Sequence, residues 1–140
     1  MRGIWCFGVL CLLSACTLGR AVSADALPGT SWQVVAIDGA AAVATDPARP
    51  LTIVFATDTV TGSSGVNRFN GTSTIDGAQL HIERVITTRR AAAEPAMTLE
   101  RSMLAALNAS ATWTVNGDVL QLADATGRER LRAQRAAPAP

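Results

Sequence analysis

The chain has 140 residues, with 12 basic and 11 acidic side chains, one histidine and a formal net charge of +1 at pH 7. This near-neutral balance gives no general electrostatic attraction for nucleic acid, and the length suits one domain with a hydrophobic core. A single histidine without clustered carboxylates is too little for zinc, which needs three or four ligands. We therefore expect no metal, no cofactor and no nucleic-acid partner.

The N-terminus resembles a bacterial secretory signal. One positive charge at Arg2 precedes an apolar run from Ile4 to Leu13, and small residues follow that run, which is the order typical of such signals. The run is too short to span a hydrocarbon core, which takes about 20 helical residues. We expect residues 1–15 to be a cleaved signal peptide.

The signal ends on Leu13-Ser14-Ala15-Cys16, which resembles the lipobox of bacterial lipoproteins. The resemblance implies that Cys16 is acylated and becomes the new N-terminus. Several acyl chains on one residue hold a protein stably to a bilayer, whereas one chain holds it only marginally. Thr17 follows in place of aspartate, which implies sorting to the outer membrane, facing the periplasm. We expect residues 16–28 to form the lipidated N-terminus and a tether.

Cysteine usage then limits the chemistry of the mature chain. Cys6 and Cys11 would leave with the signal, and Cys16 would carry lipid. The mature domain would therefore have no thiol for a disulfide or a metal site.

After the tether, the pattern favours β structure. Alternating segments rich in β-branched residues and bounded by turn residues predict strands, at Ser31–Ile37, Leu51–Ala56, Thr59–Ser64, Asn67–Ile75 and Gln79–Glu83. Prolines place Ala40–Pro50 in a loop. The glycines at positions 62, 65 and 71 indicate bulges or bends in a curved sheet.

One segment has helical periodicity. Glu94–Asn108 carries Pro95 near its first turn and places its apolar side chains mainly on one stripe, namely Met97, Leu99, Met103, Leu104 and Leu107. Three more strands are predicted after it, at Ala111–Val115, Val119–Ala123 and Arg128–Gln134. About eight mostly antiparallel strands and one helix make an α+β domain, expected over residues 29–134, with a disordered tail at 135–140.

Four motifs carry a family resemblance. They are Gly29-Thr30-Ser31-Trp32 with Ile37-Asp38-Gly39, then Gly65-Val66-Asn67-Arg68-Phe69-Asn70-Gly71, then Thr87-Thr88-Arg89, and finally Glu94-Pro95-Ala96-Met97 with Glu100. In this order they resemble the META domain family of HslJ-like bacterial lipoproteins, over roughly Leu27 to Arg132. The resemblance implies a strongly curved antiparallel sheet or open barrel carrying one helix. It also implies an outer-membrane lipoprotein associated with heat shock and novobiocin resistance, without a defined biochemical activity.

The chain departs from the family at two positions. The family usually has cysteines where this sequence has Val66 and Ala92. Any thiol or disulfide role of the relatives cannot be carried over to this chain.

The motif residues allow a functional and a structural interpretation. Their functional candidates are Arg68 and Arg89, since two guanidinium groups can bind a carboxylate or phosphate bidentately. In the structural interpretation, which we favour, Asn67 fits a turn, Phe69 fits the core and Arg68 satisfies carbonyls at a bulge. The full motif set, taken as structural, is Trp32, Gly65, Asn67, Arg68, Phe69, Gly71, Thr88 and Arg89. The only histidine, His81, lies in an alternating strand and is expected to be a surface or half-buried residue and not a general base.

The last strand has the strongest charge pattern. Because successive side chains of a strand point to opposite faces, one face is expected to carry Arg128, Arg130 and Arg132, and the other Glu129, Leu131 and Ala133. The simpler interpretation is a solvated face that protects a sheet edge from aggregation. The alternative is a contact with anionic lipid headgroups or lipopolysaccharide.

Nothing in the sequence indicates an enzyme. One histidine must serve any catalytic triad, no G-x-S-x-G motif is present, and Glu83, Glu94 and Glu100 occupy unremarkable polar positions for a pair of catalytic acids. We expect a non-enzymatic envelope lipoprotein that binds an unknown envelope protein or ligand and supports envelope integrity or stress and drug tolerance. The alternatives are an inhibitor of lysozyme or a protease, with the loop Ala40–Pro50 as plug, and a carrier of a hydrophobic ligand.

Overall fold

The structure, a computed structural model, describes residues 27–137. These residues form nine strands and one helix: β1 (Thr30–Ile37), β2 (Ala40–Ala41), β3 (Leu51–Phe55), β4 (Thr59–Ser64), β5 (Arg68–Asp76), β6 (Gln79–Thr87), α1 (Glu94–Ala109), β7 (Thr112–Asn116), β8 (Val119–Ala123) and β9 (Glu129–Arg135). Cys16 and the signal expected at residues 1–15 lie outside the described residues. In the part of the chain that is described, no helix has the length and apolar character needed to cross a membrane.

The strands form a closed antiparallel barrel. β1 pairs with β3 on one side and with β9 on the other, so eight strands complete the circuit and the two-residue β2 adds to β1. The predicted α+β fold, a strongly curved, mostly antiparallel sheet or open barrel of about eight strands with one helix, is confirmed, and the structure adds that the barrel closes. Each of the eight strands has a partner on both sides, although β6 and β7 pair only over a short stretch, and this limits the free edge through which strands could aggregate.

The β6–β7 seam is the narrowest pairing of the barrel. Only Gln79 and Thr112 pair in register, and the N–H of Leu80 donates to the carbonyl of Ala111 at 2.9 Å. Beyond this point β6 continues past its predicted end at Glu83, with Arg84 in a left-handed conformation (φ 53°) where the pairing with β5 shifts register. A bulge of this kind bends the strand and was not visible in the sequence.

The barrel interior is filled by side chains, as is usual for eight strands. Two tryptophans, Trp32 and Trp113, are fully buried, and their indole N–H groups donate to Thr30 Oγ1 and to the carbonyl of Gly77. Satisfying the indole N–H removes the cost of burying it. Leu27, expected in the tether, is also fully buried, so the packed domain begins earlier than residue 29.

The helix packs its apolar stripe onto this core. Met103 and Leu107 are fully buried, whereas Leu99 and Leu104 are partly buried, and α1 contacts β1, β4, β6 and β9. The predicted stripe is confirmed for its central residues.

The last strand differs from its prediction at both ends. β9 extends to Arg135, into the expected tail, and the N–H of Ala136 donates to the carbonyl of Ser31 at 2.9 Å. The pairing of β8 and β9 shifts register next to Glu129. This irregularity puts the Glu129 carboxylate beside Arg132, at 3.0 Å, so the predicted alternation is wrong at Glu129.

Candidate functional site

A buried carboxylate lies where the helix meets the β4–β5 turn. Glu100, on α1, is only 6% exposed. Its Oε2 accepts a hydrogen bond from Ser64 Oγ at 2.6 Å, and both of its oxygens accept from Asn67 Nδ2 at 3.0 Å. A buried charge is costly unless it is well hydrogen-bonded. Glu100 is thus a buried, fully hydrogen-bonded residue, and the prediction of an ordinary polar position for it is wrong.

Asn67 uses every hydrogen-bonding position of its side chain. Nδ2 donates to Glu100 and to the carbonyl of Arg90, and Oδ1 accepts from the N–H of Arg90 at 2.7 Å and from Thr88 Oγ1 at 2.8 Å. An amide offers two donors and two lone pairs, so nothing is left over for a ligand. Asn67 joins three parts of the chain, and the structural interpretation of this residue fits the geometry.

The local fold of the β4–β5 turn positions this amide. Gly65 has a φ of +88°, a conformation that glycine adopts without a steric penalty. The N–H of Ser64 donates to the carbonyl of Asn67 at 2.8 Å and closes the turn. Phe69, two residues further on, points into the core and is 3% exposed. A Cβ at Gly62 would overlap the carbonyl oxygen of Thr52 and approach Phe69 Cζ to 2.7 Å, so this position has no room for a side chain.

A cleft of about 390 Å³, here called the arginine cleft, opens next to the turn. Three arginines line it, one from each of three segments, and none of the described residues that line it is acidic; they are Ala48, Arg49, Pro50, Ser63, Val66, Asn67, Arg68, Thr88 and Arg90. Arg49 lies 3.6 Å from the Asp46 carboxylate, with both side chains about half exposed. Within residues 27–137, no carboxylate is found within 4.0 Å of the Arg68 or Arg90 guanidinium group.

The pair of arginines expected from the sequence is replaced by a different set. Arg68 lines the arginine cleft, but Arg89 does not; Arg90 and Arg49 take its place. Thr88 fixes the neighbouring backbone, since its N–H donates to the carbonyl of Arg68 and its Oγ1 accepts from the N–H of Arg68. No hydrogen bond from the Arg68 side chain to a bulge carbonyl is found within residues 27–137.

A second cleft, of about 260 Å³, adjoins the first. We call it the alanine cleft, because four alanines line much of it, at positions 91, 92, 93 and 96. Val66 and Leu99 add apolar surface, and Arg49, Val66 and Arg90 belong to both clefts. Val66 and Ala92, the positions where the family usually has cysteines, thus face the same cleft.

Sequence reasoning missed Arg90 and Arg49 as cleft residues, and it placed Glu100 in a family motif without predicting its burial. A signal existed for Glu100, which stands three and seven residues before Met103 and Leu107 and so falls on the apolar stripe. No such signal existed for Arg49, because the loop Ala40–Pro50 has no periodicity that predicts where its side chains lie.

The arginines of the last strand are matched by acidic neighbours. Arg130 Nε lies 2.8 Å from Asp38 Oδ1, Arg128 lies 4.0 Å from the same atom, and Arg132 lies 3.0 Å from Glu129. These carboxylates offset much of the local positive charge. The face therefore resembles a solvated surface with mixed charges more than a basic patch.

The remaining candidates occupy ordinary structural places. The guanidinium of Arg135 stacks over the Trp32 ring at 4.4 Å from the centroid, a cation–π contact. Gly71 is buried, and a Cβ there would lie 3.0 Å from the Glu83 carbonyl oxygen. His81 is exposed on β6. Within residues 27–137, no group of three or more His, Cys, Asp or Glu side chains is placed to hold a metal ion.

Solved structures share this architecture. An NMR structure of a protein from Burkholderia xenovorans matches with a TM-score of 0.66 at 24% identity, over 84% of this chain and 90% of that one. A second NMR structure matches with a TM-score of 0.64 at 22% identity, over 81% and 94%. A crystal structure of a DUF4847 family protein from Bacteroides vulgatus ATCC 8482 matches with a TM-score of 0.61 at 19% identity, over 79% and 94%. At these identities the likeness shows the fold alone.

The sequence comparison is more specific. No curated protein gives a significant match to this chain. The model of the META domain family matches residues 25–137, which is most of the chain and includes every strand and the helix. The chain therefore belongs to the META domain family.

Proposed function

We propose that this protein is a non-enzymatic lipoprotein of the bacterial envelope, anchored in the outer membrane through Cys16, and that its META domain binds an anionic group of an envelope partner or ligand in the arginine cleft. The observation that carries the binding proposal is the composition of that cleft. Three arginines line it, and none of its lining residues within the described range 27–137 is acidic. Guanidinium groups are suited to carboxylate and phosphate because they donate in a fixed planar fork.

The arrangement around the cleft supports binding more than catalysis. Asn67 and Thr88 are committed to each other and to the backbone, and the Glu100 carboxylate is held by Ser64 and Asn67 and does not line the cleft. A general base must reach the proton that it abstracts. The described residues that line the cleft include no histidine, carboxylate or cysteine to act in that role.

The structure gives less support to the two alternative functions, a carrier of a hydrophobic ligand and an inhibitor of a hydrolase. The core side chains fill the barrel interior, so a carrier of hydrophobic ligands would have to use the surface. The loop Ala40–Pro50, considered as an inhibitory plug, packs Ala42 into the core and contributes Arg49 to the arginine cleft. We therefore place binding at the cleft ahead of both.

Anion-dependent thermal stability tests the proposal. A ligand that binds only the folded state raises the melting temperature by mass action. We expect ethyl phosphate to raise the Tm at low salt more than sodium chloride of equal ionic strength, and Arg68→Gln to remove most of that rise. Arg101→Gln is the matched control, because Arg101 lies on the outer surface of α1, paired with Glu94. Equal rises in the wild type and both variants would contradict the proposed site.

A further inference from the structure

The two clefts adjoin each other and differ in polarity, and we refer to them together as the groove. They share Arg49, Val66 and Arg90 as a common wall. The arginine cleft adds Arg68 to this shared lining, whereas the alanine cleft adds four alanines and the partly buried Leu99, together with Thr45, Asp46, Ser64 and Gly65. A ligand held by the arginines would therefore have apolar surface within direct reach.

From this adjacency we propose that the groove binds a single-chain amphiphile, with its anionic headgroup at Arg68 and Arg90 and the start of its hydrocarbon chain in the alanine cleft. The inference rests on the proposed function, since the arginine cleft supplies the headgroup site, and it adds the chemical class of the ligand. The headgroup chemistry is an anionic oxygen, as in a phosphate monoester, a lysophospholipid or a fatty acid.

The sizes of the clefts fit a headgroup in the arginine cleft and the start of a hydrocarbon chain in the alanine cleft. Ligand pockets usually measure about 300–1,000 Å³. The alanine cleft, at about 260 Å³, is below that range, whereas the arginine cleft measures about 390 Å³. The alanine cleft is therefore a poor site by itself and a suitable extension of its neighbour. A chain placed there gains by removing apolar surface from water.

The amino-acid sequence explains why the side chains that line the alanine cleft are small. Residues 91–93 lead into α1 with three consecutive alanines, all exposed, so no large side chain fills the space between them and Val66. Asp46, the acidic residue among those that line the alanine cleft, is paired with Arg49 at 3.6 Å. Among the described residues no carboxylate lines the arginine cleft, so none competes there with a headgroup bound at Arg68 and Arg90.

Photo-crosslinking of the full lipidated chain tests the inference. The protein is purified in an excess of dodecyl maltoside, a neutral amphiphile, and exposed to a decyl phosphate probe with a diazirine at the end of its chain. We expect labelled peptides from residues 91–99 or from the β4–β5 turn. Decyl phosphate or decanoate should compete, and whichever competes better identifies a phosphate or a carboxylate as the preferred headgroup. Ethyl phosphate should compete at least about tenfold more weakly than decyl phosphate, because it lacks the buried chain.

Two variants separate the two ends of the groove. Arg68→Gln should weaken labelling by about tenfold or more through loss of a charged hydrogen bond, with Arg101→Gln unchanged. Ala92→Phe should block the chain and lower labelling by decyl phosphate while leaving the thermal response to ethyl phosphate intact. Ala125→Phe is the control for adding a phenyl ring to the surface. Ala125 lies in an exposed turn, is distant in sequence from Ala92 and lines neither cleft.

The outcomes distinguish failure of the inference from failure of the proposed function. If ethyl phosphate competes as well as decyl phosphate, or Ala92→Phe labels like the wild type, the anionic site stands and the amphiphile inference is wrong. If neither phosphate competes, or Arg68→Gln labels like the wild type, both proposals are wrong.

Discussion

Asn67 and Glu100 connect the turn after β4 to the helix, although they are 33 residues apart in the chain. The side-chain amide nitrogen of Asn67 donates to both carboxylate oxygens of Glu100 at 3.0 Å. The same amide group binds the backbone of Arg90 at both its N–H and its carbonyl. Networks of this kind rigidify the segments that they join when every member is satisfied. The two arginines of the proposed headgroup site, Arg68 and Arg90, stand directly on the segments fixed by this network.

The buried carboxylate should matter for stability. In Glu100→Gln, one carboxylate oxygen becomes an NH2 donor that faces the donor groups of Asn67 and Ser64. Leaving buried donors unsatisfied costs about 1–3 kcal/mol, so the free energy of unfolding of the domain should fall by that amount in urea denaturation. Glu94→Gln, at an exposed position on the same helix, should remain close to the wild type. Equal behaviour of the two variants would mean that the network does not stabilise the fold.

The apolar stripe of α1 predicts that alanine substitutions on the helix destabilise the fold in proportion to the burial of the side chain that is removed. Met103→Ala removes a fully buried side chain and should lower the free energy of unfolding by about 2–5 kcal/mol. Leu104→Ala, at a partly buried position, should cost less. Arg101→Ala, at an exposed surface site, should change stability by less than about 0.5 kcal/mol. Urea denaturation gives the three values, and an inverted order would show that the helix faces the barrel in another orientation.

Asp124 should contribute to the acid sensitivity of the fold. The Thr126 hydroxyl, donating to Asp124 Oδ1 at 2.6 Å, holds the pKa of this carboxyl below its ordinary value, with further support from backbone N–H groups and from Arg130. Because the folded-state pKa is lowered, the stabilisation is present above the unfolded pKa of about 3.9 and is lost as the pH falls through the lower, folded value. Asp124→Asn should therefore reduce stability at neutral pH and flatten its decline below pH ~4. Parallel pH profiles for the variant and the wild type would contradict this assignment.

The lipobox leads to a direct test of the anchor. Cys16→Ser should abolish incorporation of labelled fatty acid and release the protein from the membrane fraction, because no residue then carries the acyl chains. Cell fractionation and palmitate labelling measure the two effects. A variant that still labels and still sediments with membranes would show that the anchor lies elsewhere.

The two departures from the family lead to a disulfide prediction. Val66 and Ala92 line the same cleft, and if they correspond to a bonded pair in relatives, their Cα atoms must be about 4.4–6.8 Å apart. Replacing both with cysteine should then form a bridge in the oxidising periplasm and stabilise the fold by about 2–4 kcal/mol. Thiol titration and the melting temperature measure the result, with each single cysteine variant as control. Two free thiols under oxidising conditions would contradict the pairing.

Much of the fold could be predicted because it depends on local patterns. Alternation over Leu51–Phe55 or Val119–Ala123 marks strands with one buried face, and the spacing of Met103 and Leu107 marks the buried side of a helix. The ends of β6 and β9 could not be predicted. Their bulges at Arg84 and Glu129 lie in the pairings with the preceding strands β5 and β8. The alternation of residue types does not show where a bulge inserts its extra residue, and a one-residue shift reverses the direction of every later side chain.

By itself the sequence determined the family, the α+β composition of the domain and the importance of Asn67, because motifs and periodicities are properties of neighbouring residues. Only the tertiary structure decided that the barrel closes and that Glu100 is buried. It also decided that Arg49, Arg68 and Arg90, and not Arg89, share one cleft. These are contacts between segments far apart in the chain, and they depend on register, on turn geometry and on how the helix packs on the sheet. None of these can be inferred from the residues of one segment alone.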